Sequence, residues 1–265
     1  MSAPLPSSRI DLVLDLVGAH PIAVTLFVTT VLSAVFLLAP SIDLTVSGWF
    51  HAAGQGFPAE QVPFLRDLRA LGMFTTRAVI AVFVVVLILK LALPQRPTLI
   101  PPRALLFLAA SQAIGPGLVV NVVLKEFWGR ARPRQTDLFG GDLTFSPPWA
   151  IADQCSSNCS FVSGESASSF WMLAFAFVVP VGWRRPVALL ALGWALVMSA
   201  NRIVFGGHYL SDVLLAWCLV LMVILILRQW LLVECGADFN ARLEAALTRA
   251  GLALRRLIPG SRTPA

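Results

Sequence analysis

The sequence predicts an all-α chain: a six-span transmembrane helical bundle with interfacial helices at its edges. Three observations carry that prediction. Of 265 residues, 57% are hydrophobic and 13% charged, where soluble domains have roughly half and a quarter. The mean hydropathy is +0.80. Six apolar runs approach the length of about 20 residues that a helix needs to cross a hydrocarbon core ~30 Å thick. On this reading residues 1–20 are a cytoplasmic segment, 21–231 a membrane domain and 232–265 a basic tail.

The first run, 21–39, lacks a convincing small-residue cleavage site and is expected to be an anchor rather than a signal peptide. In the connection after it, "IDLTVSGWFHAAGQGFP" and "EQVPFLRDLRALG" mix Trp49, Phe50 and Phe57 with polar residues, as suits the headgroup boundary. The second run is 75–93. The third, 103–124, contains "IGPGLVV", a break that is tolerable where the freed backbone groups face protein or a polar cavity. A long connection follows, with "CSSNC" inside it. Cys155 and Cys159 form a disulfide candidate for an oxidising compartment, and a metal reading is weaker because no His and no second Cys pair accompany them. The last three runs are 166–182, 187–205 and 210–231. In the tail, Phe239, Leu243, Leu247, Leu254 and Ile258 share one side, which predicts a basic amphipathic helix on an anionic lipid surface.

Lys and Arg set the orientation. With the N-terminus inside, twelve fall on the inner side, six of them from Arg228 to Arg262, and eight on the outer side. Both termini are therefore expected in the cytoplasm, with the 125–134 cluster and the cysteine pair exported, as in a bacterial inner membrane.

Three charged clusters then meet at the exported edge. "NRIVFGGHYLSD" places His208 and Asp212 four residues apart on one helical face. A carboxylate beside one imidazole nitrogen leaves the other free to act as nucleophile or base. Arg202 comes close through a turn that Gly206 and Gly207 permit, and its fork suits phosphate oxygens. "KEFWGRARPR" adds Lys125, Arg130, Arg132 and Arg134, suited to anionic headgroups or to one phosphate. "SFVSGESASSF" puts Ser163 and Gly164 at a helix start, where N–H groups and the dipole favour an anion, although Ser163 also serves as an ordinary N-cap.

Together, Lys125 with Arg132-Pro133 seven residues on, Ser163-Gly164, and Arg202 with His208 and Asp212 resemble the type 2 phosphatidic acid phosphatase superfamily. Two positions depart from its usual pattern: Asn201 stands where a Ser precedes Arg202, and Val162 where a Pro precedes Ser163. The resemblance implies a phosphatase in which His208 attacks phosphorus and carries a phosphohistidine, with Asp212 orienting it. Lys125, Arg132, Ser163, Gly164 and Arg202 would bind the phosphate, no metal or other cofactor being called for. Arg130 and Arg134 are left for a second phosphate or headgroup.

A third departure touches the chemistry. The family's acid, a His after Ser-Gly, is here Glu165. Three accounts stand: Glu165 is itself the general acid; the substrate has a leaving group that needs little protonation; or the site is slow or inactive. A membrane lipid phosphate, and not a nucleic acid, is the expected partner. Lipid A phosphate and polyprenyl diphosphate lead, with phosphatidylglycerol phosphate and phosphatidic acid behind them. A lipid phosphotransferase and a non-enzymatic anionic-lipid transporter are the alternatives.

Overall fold

Prolines open three of the long helices, where their fixed φ suits the first turn and their missing N–H costs nothing. In the computed structural model, which describes residues 18–257, these are α1 (Pro21–Leu38), α3 (Pro63–Ala92) and α4 (Pro102–Gln112). A short helix α2 (Ser41–Gly48) lies between the first two. Next come α5 (Gly164–Trp171), α6 (Val181–Val204), α7 (Leu210–Leu227) and the tail helix α8 (Phe239–Leu257). The "IGPGLVV" break neither ends nor kinks the chain into a loop. From Ala113 to Leu124 α4 widens to a π-helix, and the Asn121 amide donates to the Pro116 carbonyl at 2.7 Å.

Among the described residues, five helices have the length and apolarity to cross a membrane: α1, α3, α4 with its continuation to Phe127, α6, and α7 with its continuation to Glu234. The expected fourth span, 166–182, is the exception, so that five of the six expected spans are matched by long apolar helices among the described residues. It consists of α5 and a 3-10 stretch, Met172–Phe177. At ~1.5 and ~2.0 Å per residue the two make about 24 Å, less than the ~30 Å core. The segment nonetheless runs the length of the bundle. The Ser163 N–H before it donates to the Asp212 carbonyl at the start of α7, and Phe177 at its end lies under Arg228, just past the last residue of α7. Ala167, Phe170, Trp171 and Ala174 are buried among the longer helices, so this segment needs no lipid-facing length of its own.

Helix α3 begins twelve residues before the expected second span, because its polar first turns, "PFLRDLRALG", continue the helix beyond the apolar run. That extension brings Arg69 to the site. At the other end, Lys90 is buried; it pairs with Glu244 and donates to Thr248 Oγ1 at 2.8 Å, fastening α8 to α3. Leu243 and Leu247 on α8 are half-buried and Leu254 is exposed, while Ile258 and residues 1–17 lie outside the described residues.

Candidate active site

The loop from Gly129 to Pro133, the cysteine loop, the start of α5 and the turn between α6 and α7 converge on one cavity of about 450 Å3. Lys125, Arg132, Gly164, Glu165 and His208 all line it, joined by Arg69, Thr76 and Arg77 of α3. The sequence clusters therefore meet in one place. Ser163 does not line the cavity. Its hydroxyl caps α5, accepting from the Ser166 N–H at 3.3 Å and bonded to the Ser166 hydroxyl at 2.8 Å.

His208 is 1% exposed. Its Nδ1 lies 2.8 Å from the Ser160 carbonyl, whereas the Asp212 carboxylate is 3.6 Å away. A carbonyl oxygen only accepts, so the hydrogen-bond network assigns the ring proton to Nδ1 and a lone pair to Nε2. Nε2 makes no hydrogen bond among the described residues, and the ring faces the cavity. Burial holds the imidazole well below its ordinary value; Asp212 opposes this, while Lys125, Arg132 and Arg202 reinforce it. The histidine is neutral. Asp212 sits beneath it, accepting from Ser160 Oγ at 2.5 Å, Arg130 Nη1 at 2.6 Å and the Tyr209 N–H at 3.0 Å.

Asn158 organises two of the cations. Its side-chain oxygen accepts from Lys125 Nζ at 2.9 Å and from Arg132 Nη2 at 3.3 Å, and its backbone carbonyl accepts from Arg132 Nη2 at 2.8 Å. The Cys155–Cys159 disulfide closes the loop that carries it. The signal was in the sequence, inside "CSSNC", but a polar residue in a short loop has too many uses to single out.

Arg202 is 1% exposed, and Nε, Nη1 and Nη2 have no hydrogen-bond partner among the described residues. Among the described residues it has one ion-pair partner, Glu165, with Nε 3.5 Å from Oε1. A buried guanidinium with idle donors is costly unless an anion completes it. Gly207 makes the space, since a Cβ there would stand 2.3 Å from Arg202 Nη2. At Gly164 a Cβ would stand 2.5 Å from Asn121 Oδ1. Glu165 itself is gripped by Arg69, which the motifs do not include, through both carboxylate oxygens.

Of the two arginines left for a second phosphate or headgroup, Arg130 is too deeply buried for either. Arg130 is fully buried between Asp212 and Asp43, and Arg134 pairs with Glu60. Burial pushes the Asp43 carboxyl up and Arg130 pulls it back.

Comparison with known proteins bears on the family and the fold. The model of the PAP2 superfamily matches residues 102–234. A lipid A 4'-phosphatase of Rhizobium leguminosarum is 40% identical over 206 residues, covering 72% of this chain and 88% of that one. Its namesake in Francisella tularensis subsp. novicida is 34% identical, over 67% of this chain and 81% of that one. The fold is similar to that of a PAP2-type phosphatidylglycerolphosphate phosphatase from Bacillus subtilis, with a TM-score of 0.51 and 18% identity over 80% of this chain and 96% of that one.

Proposed function

The chain belongs to the PAP2 superfamily and is a membrane phosphatase; from that premise we propose that it hydrolyses a lipid A phosphate through a phosphohistidine intermediate. The observation that carries the mechanism is His208: neutral, protonated on Nδ1 against the Ser160 carbonyl, with Nε2 facing a cavity edged by Lys125 and Arg132. The lone pair of Nε2 attacks phosphorus, forming a P–N bond as the ester P–O bond breaks. Water then attacks the phosphohistidine, releasing phosphate and restoring the imidazole. Lys125, Arg132 and the idle donors of Arg202 neutralise the phosphoryl oxygens, which is the stabilisation that phosphoryl transfer chiefly needs.

Glu165 is the informative departure. A carboxyl that accepts from a guanidinium through both oxygens is a carboxylate, with no proton to give. We assign it the holding of Arg69 and Arg202, so the leaving oxygen meets positive charge and takes its proton from water. The lipid A assignment rests on the names of the relatives, and on a cavity much larger than a phosphate at the end of apolar spans. An exported site in an inner membrane, with both termini cytoplasmic and the tail on anionic lipid, completes the reading.

Detergent-purified protein incubated with lipid A, phosphatidylglycerol phosphate, phosphatidic acid and polyprenyl diphosphate tests it. Phosphate release from lipid A that persists in chelator, stops with vanadate and vanishes in His208→Ala is the expected result. Activity that requires magnesium, or that favours another lipid, overturns the corresponding part.

A further inference from the structure

Arg130 stands among the motif cations yet does not line the cavity that holds Lys125 and Arg132. Its Nη1 donates to Asp212 Oδ1 at 2.6 Å and its Nη2 to Asp43 Oδ2 at 2.9 Å. Ser211 laces the group together: its hydroxyl accepts from Arg130 Nη1 at 2.9 Å and donates to Asp43 Oδ2 at 2.5 Å, and its N–H donates to Asp43 Oδ1 at 2.8 Å. Both Asp43 oxygens are met by donors, so the group is a carboxylate. Asp43, Arg130, Ser211 and Asp212 are all buried.

Taking three charges out of water is expensive, and one carboxylate would have been enough to hold the guanidinium. The count of charges shows what the second one does. Arg130 and Asp212 alone sum to zero, leaving the imidazole facing Lys125 from α4, Arg132 from the loop and Arg202 from α6, against which Glu165 of α5, itself paired with Arg69 of α3, sets a single negative charge. With Asp43 the buried group carries −1.

We propose that Asp43 is a positioning residue for the phosphatase reaction: by sharing Arg130 it leaves net negative charge beneath His208, where the ring becomes cationic as Nε2 bonds to phosphorus. The inference rests on the phosphohistidine reading. In that step the Nδ1 proton stays on the ring, the P–N bond forms and the ester P–O bond breaks, so the positive charge on the imidazole is transient and needs a counter-charge.

The test uses the full chain in detergent. Asp43→Asn is expected to lower kcat about tenfold or more with KM little changed, and to move the acid limb of kcat/KM down by about one pH unit, since removing a nearby negative charge disfavours protonated imidazole. Ser211→Ala, which removes hydrogen bonds but no charge, leaves that limb in place. Asp43→Asn with Arg130→Gln restores −1 and returns the limb toward its original position, and it is also the readout if Asp43→Asn alone does not fold. A limb that stays fixed in Asp43→Asn, that Ser211→Ala shifts equally, or that the double variant moves further overturns the proposal. The same limb is read without turnover from the rate at which diethyl pyrocarbonate acylates His208, in a chain with His20→Gln and His51→Gln. If the native protein releases no phosphate, the reaction reading fails, and the acylation limb alone decides whether Asp43 sets the charge at His208.

Discussion

Glu165 holds Arg69 across 96 residues of sequence, with Nε and Nη2 at 3.0 and 2.9 Å from Oε1 and Nε at 3.2 Å from Oε2. This pair is half-exposed at the cavity wall, so its strength as an ion pair is modest, and its value lies in where it puts charge.

It follows that Glu165→Gln impairs turnover far less than His208→Ala. Losing a general acid costs about 10²–10⁴-fold; Glu165→Gln is expected to cost less than about 10²-fold, and Arg69→Ala to resemble it. Phosphate release from one lipid substrate measures all three, and equal losses in Glu165→Gln and His208→Ala would return Glu165 to the acid role.

The buried imidazole gives a pH prediction with a definite sign. His208 titrates well below 6.5 in the folded chain, so below pH ~6.5 the unfolded chain binds a proton that the folded chain does not. The stability contributed by the neutral ring is present above that pH and is lost as pH falls toward the folded value. Thermal unfolding in detergent between pH 8 and 5 is expected to show this loss, and His208→Gln to flatten it.

The disulfide bears on substrate binding through Asn158. Reduction, or Cys155→Ser with Cys159→Ser, frees the loop and with it the acceptor shared by Lys125 and Arg132. KM is expected to rise about tenfold or more, and Asn158→Ala to reproduce the effect, at roughly 1.5–3 kcal/mol for a hydrogen bond to a charged group. Steady-state kinetics with and without reductant check it.

Gly207→Ala places a Cβ where the Arg202 guanidinium lies. The expected outcome is a fold that keeps its melting temperature within a few degrees while phosphate release falls by about 10²-fold, the scale of losing one oxyanion donor. Normal activity in that variant would show that Arg202 can move aside freely.

Much of this was legible in the residues. Apolar length located α1, α4, α6 and α7 to within a few residues at most of their ends, since a bilayer imposes one length on every crossing. The spacing of His208 and Asp212 predicted a shared helical face and a direct imidazole–carboxylate hydrogen bond. Instead α7 starts at Leu210, after His208, and Asp212 lies 3.6 Å from Nδ1 while the Ser160 carbonyl takes the contact. What the chain did not disclose depends on contacts distant in sequence. Arg69 and Asp43 lie in segments whose composition reads as headgroup boundary, and only the fold turns them inward. Ser160 takes the Nδ1 contact because its carbonyl, which every residue has, happens to be nearest. The fourth span misled because "GESASSFWMLAFAF" has apolar content without apolar length, and enclosure by neighbours replaces what lipid would otherwise demand.

That shortness has a consequence for biogenesis. Fourteen residues opening on "GESASS" are too few and too polar to partition into a bilayer alone. During synthesis the segment has to wait until α6 and α7 have been threaded and offer it a protein-lined slot. The pocket is then finished by the last crossings to be made, and a nascent chain stalled before α6 holds every cation of the "KEFWGRARPR" stretch but neither His208 nor Asp212.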